Sequence, residues 1–123
     1  MSDADIVEKT ILLAARLLER TQGKEIDWVS IPELNHAYDF DSPSGASVRI
    51  ASADNDDQAP FHLYVFNSTA DVVASLRTQW FFDESTDEHT PATWNEVLED
   101  LYAATRRRSL RSEEVLDQIL DEL

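Results

Sequence analysis

The chain has 123 residues, 42% of them hydrophobic, and sets twenty-five Asp and Glu against ten Lys and Arg, a formal net charge of −15 at pH 7. It contains no cysteine, which excludes disulfides, thiolate nucleophiles and Cys-based zinc sites. A field this negative also repels nucleic-acid phosphates and anionic membranes, and it favours basic partners or a saline interior.

The length is that of a single domain, residues 1–123, able to bury about two thirds of its unfolded surface. The first element reads as a helix over about residues 4–21. Ile6, Thr10, Leu13 and Leu17 form one stripe and Val7, Ile11, Ala14 and Leu18 its neighbour, an apolar arc wide enough to pack on a core. Leu12 falls in the polar arc, and Gly23 stands where a left-handed residue would end the helix. Ile26-Asp27-Trp28-Val29 alternates as a short strand. Ser30-Ile31-Pro32-Glu33 fits a capping box with Pro in the first turn, predicting a short helix over about residues 31–37, with an irregular connection as the alternative. Ser42-Pro43-Ser44-Gly45 is a turn signal.

Three strands follow: Ala46 to Ala53, Phe61 to Asn67, and Val72 onward, extending towards Phe82. Their short polar connections predict an antiparallel meander of 3–4 strands. Asp83 to His89 reads as an acidic loop. Thr90-Pro91 and Thr93-x-x-Glu96 signal the start of a helix of about 15 residues lined by Trp94, Val97, Leu98, Leu101, Tyr102 and Thr105. Ser112 is placed to cap a last helix, with Val115, Leu116, Ile119, Leu120 and Leu123 on one side and five acids on the other. The fold class is α+β: an N-terminal helix, the meander, then two C-terminal helices.

No catalytic signature emerges. The two glycines, Gly23 and Gly45, sit in neither a phosphate-cradling loop nor a dinucleotide fingerprint, and Ser44 and Ser47 lack a nucleophile elbow. His36, His62 and His89 are far apart, with no metal-ligand spacing among them. Asp54, Asp56 and Asp57 begin like a calcium loop. However, Ala59 stands where the tight-turn Gly belongs, and Val65 where the bidentate Glu should be. No metal or other cofactor is expected.

Two constellations point to binding. Arg106, Arg107, Arg108 and Arg111 bring four of the ten cations together. The structural account is placement at a helix C-terminus with pairing to the acids of the last helix. The functional one is a partner site. On the sheet, Val48, Ile50, Phe61, Leu63, Val65, Val72, Ala74, Leu76, Trp80 and Phe82 make one apolar side for the helices. That leaves Arg49, His62, Tyr64, Phe66, Val73, Arg77 and Phe81 opposite, a mixed aromatic and basic face suited to a protein partner or a homodimer contact.

In layout the chain resembles small bacterial α+β proteins of unknown function, some encoded near toxin or defence genes. The resembling features are the N-terminal helix running into Thr21-Gln22-Gly23-Lys24-Glu25-Ile26-Asp27-Trp28, the meander, and Trp94-x-x-x-Leu98-x-x-Leu101-Tyr102. The resemblance implies an immunity-type or accessory factor that binds a partner without catalysis, and carries no residue roles with it. The expectation is a non-enzymatic module engaging a basic protein partner, with no direct nucleic-acid or membrane contact. Its opening residues lack the basic and apolar regions of a secretory signal, so a cytoplasmic location is expected. The alternatives are a DNA-mimicking inhibitor of a nucleic-acid-binding protein, or a small ligand binder or enzyme using the sheet face near His62.

Overall fold

Helix α1 (Asp3–Gln22) starts at a capping box. The Ser2 hydroxyl accepts from the Asp5 amide, and the Asp5 carboxylate accepts from the Ser2 amide in return. The computed structural model describes residues 2–31, 33, 34 and 36–123, apart from the side chains of Ser112 and Glu113. As expected, α1 buries its apolar stripe, with Thr10, Ala14, Leu17 and Thr21 innermost and Leu12 exposed. Its end departs from expectation by one residue. Gly23 has φ −78°, and Lys24, at φ 61°, takes the left-handed position. The amides of Lys24 and Glu25 then close on the carbonyls of Thr21 and Arg20, the bonding of a Schellman cap.

Five antiparallel strands follow in sequential order: β1 (Val29–Ser30), β2 (Ala37–Asp41), β3 (Ser47–Ser52), β4 (Phe61–Phe66) and β5 (Val72–Arg77). The strand expected at residues 26–29 shrinks to β1, although Ile26 and Trp28 are both buried. Among the described residues of the span 31–37 no helix forms. A turn closed by the Leu34 amide on the Ile31 carbonyl leads into β2 instead, and Pro32 and Asn35 of that expectation lie outside the described residues. β2 forms because Tyr38 and Phe40 alternate with Asp39 and Asp41, half apolar and half wet. Gly45, at φ 91°, makes the β2–β3 turn.

The ladder sets Tyr38, Ile50, Leu63 and Leu76 in one row across the sheet, facing the helices. A bulge in β5 places Val72 opposite Phe66 while Ala74 pairs with Val65. The expected side of Val72 therefore fails: it stands opposite Phe66, off the core face, and is about half exposed.

β5 does not continue to Phe82. The Thr78 hydroxyl takes over the next ladder bond by accepting from the Phe61 amide, and Asn95 clamps the Gln79 amide and carbonyl at 2.9 and 2.8 Å. The chain then forms a separate hairpin, β6 (Trp80–Asp83) with β7 (Glu88–Pro91), so the expected acidic loop is a hairpin turn. Trp80 and Phe82, assigned from sequence to the core side, are exposed on it. Helix α2 (Asn95–Leu110) begins at Trp94 with no side-chain cap bond, so the Thr93 capping box is not used. α2 packs across β2, β3 and β4, and α1 lies beside it and over β5. Leu98, Leu101, Ile50 and Leu63 are fully buried where these layers meet. Helix α3 (Ser112–Glu122) follows after the single left-handed residue Arg111.

Two buried threonines test the polar side of this core. Thr21 donates to the Leu17 carbonyl at 2.6 Å and accepts from the Trp28 indole at 2.9 Å. The Thr105 hydroxyl is fully buried and finds no partner among the described residues. The same isosteric change should therefore have opposite signs. Thr21→Val should cost about 1–3 kcal/mol by orphaning the indole N–H, and Thr105→Val should stabilise by roughly 1 kcal/mol. Urea unfolding of the two variants checks both signs.

Candidate interaction surfaces

Cross-strand register assembles most of the expected sheet face. Arg49 pairs with Tyr64, and His62 with Arg77, so Arg49, His62, Tyr64, Phe66 and Arg77 share the side away from the helices. The three aromatic rings of β4 run as a strip, with His62 on Tyr64 at 3.9 Å and Tyr64 near Phe66 at 6.2 Å between centroids. Arg49 lies over the Phe66 ring while its guanidinium grips Asp39 with two bonds, 2.8 and 3.1 Å. Burial, with Arg77 adding to it, lowers the His62 pKa, so the ring is neutral at physiological pH. Phe81 does not belong to this face. It sits on β6 and packs edge-on against Trp94, with Trp80 and Phe82 exposed beside it.

The arginine cluster is divided. Arg108 bonds Asp27 at 2.6 Å and is largely buried; Arg106 lies 3.5 Å from Asp57; Arg107 forms no ion pair among the described residues. Among the described residues, pairing with the last helix, expected for the whole cluster, is confined to Glu114, which meets Arg111 at 3.1 Å and Arg108 at 3.9 Å.

Asp57 is the polar centre of the molecule. Ser52 and Asp56 staple the β3–β4 loop through bonds to Gln58, and Asp57 adopts φ 62° within it. Its Oδ1 accepts from the Tyr102 hydroxyl at 2.5 Å and lies 2.7 Å from Nδ1 of His36, itself at φ 60°. The Tyr102 hydroxyl does most to hold the Asp57 carboxyl below the usual range; His36 and Arg106 add to this against the opposing effect of burial. Burial first, and the bond to Asp57 second, push the Tyr102 phenol up. The Tyr102 ring stacks on Phe61 at 4.7 Å and meets Tyr38 edge-on. The node therefore fastens loop to helix. No group of three or more His, Cys, Asp or Glu side chains able to hold a metal occurs among the described residues.

The largest surprise is α3. From Glu114 to Leu123 every residue is exposed. Val115, Leu116, Ile119 and Leu120 are between 47% and 67% exposed, so the apolar side of the helix is uncovered. Amphipathic periodicity reveals that side in the sequence. No helix among the described residues is long and apolar enough to cross a membrane.

Comparison with protein families, with curated proteins and with solved structures finds no match.

The Asp57 node makes stability depend on pH with a definite sign. A carboxyl whose pKa is lower folded than unfolded stabilises fully above its unfolded value, about 4, and loses that contribution as pH falls through the folded value. Tyr102→Phe should cost about 1.5–3 kcal/mol at pH 7, and the gap to wild type should narrow as pH drops below about 4. Denaturant midpoints across acid pH measure the gap; a constant difference would place the stabilisation elsewhere.

Proposed function

We propose that the chain is a non-enzymatic interaction module that engages a basic protein partner through α3, as a cytoplasmic immunity-type or regulatory factor. The observation carrying this reading is the uncovered apolar side of α3, framed by Glu114, Asp117, Asp121 and Glu122 with no cation on the helix. Exposed apolar strips of this kind supply affinity, and the flanking charge selects the partner and speeds encounter. A second copy of the chain fits poorly, since pairing two such helices would set their carboxylates side by side. A partner with an apolar strip flanked by Lys and Arg satisfies both features.

Two synthetic helical peptides test this, sharing one apolar strip and differing only in Lys/Arg or Glu flanks. The basic peptide should bind, weaken as salt is raised, and lose affinity at least about tenfold against Leu116→Ser/Leu120→Ser. That double variant should change folding stability by less than about 0.5 kcal/mol per site, both leucines being exposed. Equal binding of both peptides, or concentration-dependent dimerisation of the chain that masks α3, would refute the proposal.

A further inference from the structure

A cleft of about 220 Å3 lies where the C-terminal ends of α1 and α2 meet the start of α3. Lys24, Arg107, Arg108 and Arg111 line it, four of the chain's ten cations, and Glu114 is the one acid among its described lining residues. With twenty-five acids available to ten bases, cations on this surface should be crowded by carboxylates. Here four converge on one hollow, where Arg108 and Arg111 also hold Asp27 and Glu114.

Helix C-termini attract cations, so dipole compensation accounts for their presence near the two helix ends. It does not account for their turning into one concavity. Nor does it account for Arg107, which is exposed, in the last turn of α2, and without an ion pair among the described residues. Arg108 is preorganised by Asp27 at 2.6 Å and by the Ile26 carbonyl at 3.4 Å, and is only 17% exposed. Arg111 is positioned from its backbone, left-handed at φ 53° and ψ 44°, with Glu114 occupying one edge of its guanidinium. The volume falls below that of drug-sized ligand pockets, roughly 300 Å3 and upward, and suits a compact anion.

We infer that this cleft binds a compact oxyanion of the phosphate-monoester class, separately from partner docking on α3. Arg107 and Arg111 present planar forks matched to phosphate oxygens, and Arg108, held by Asp27, lines the same cleft. The ligand competes with Glu114 for Arg111.

The test is a titration of the full chain with inorganic phosphate at constant ionic strength, followed by amide NMR, with acetate and chloride as parallel arms. Saturable millimolar binding is expected, with shifts centred on Lys24, Arg107, Arg108, Arg111 and Glu114. Arg107→Gln should weaken it about tenfold. Lys9→Gln, near the opposite end of α1 from the cleft, should bind as wild type does. Unsaturable shifts, phosphate binding no better than acetate or chloride, or unchanged binding by Arg107→Gln would each overturn the assignment.

Discussion

One carboxylate oxygen, Asp57 Oδ1, joins three stretches of chain that are distant in sequence. It meets His36 at the entry to β2, and Tyr102 and Arg106 on α2, from its own place in the β3–β4 loop. The left-handed backbone at both His36 and Asp57 costs about 1–2 kcal/mol per residue. A hydrogen bond to a charged group contributes about 1.5–3 kcal/mol, so the bonds of the node outweigh that strain. Once the loop is tied to α2, the Tyr102 ring is seated on Phe61 and against Tyr38. That seating adds to the packing of Leu98 and Leu101 in holding α2 over the sheet.

Charge is distributed by a different rule. Arg20, Arg49, Arg106 and Arg108 are engaged with Glu25, Asp39, Asp57 and Asp27; Arg49–Asp39 ties neighbouring strands, and Arg106–Asp57 and Arg108–Asp27 link segments well apart in the sequence. Much of the positive charge is therefore used to hold segments together, and most acids are left facing water. The unbalanced negative surface, with apolar α3 set in it, follows from where the cations went as much as from how many acids there are.

Periodicity predicted the elements whose pattern coincides with their burial: α1, β3, β4 and the Leu98–Leu101–Tyr102 side of α2. It failed where a stronger local signal or a distant contact intervened. The Ser30-to-Glu33 capping pattern hid β2, although Tyr38 and Phe40 alternate correctly with Asp39 and Asp41. The break after β5 depends on Asn95 gripping Gln79, a tertiary bond with no local trace. The bulge shifted the side of Val72, since a single extra residue reverses strand parity. Of the expected binding residues, register gathered Arg49, His62, Tyr64, Phe66 and Arg77, while the hairpin took Phe81 away. The Asp57 node was beyond reach, because residues 36, 57 and 102 meet only in the folded chain.

The joint at Arg111 has a mechanical consequence. A single left-handed residue separates two helices, so the direction of α3 is set largely by one pair of torsion angles. An eleven-residue helix is about 16 Å long at 1.5 Å per residue, so pivoting it by about 10° sweeps its tip through roughly 3 Å. The guanidinium at that pivot is braced by Glu114 from the first turn of the arm itself. Whatever grasps or releases that brace works at the short end of a lever, where a small displacement is magnified at Leu120 and Leu123.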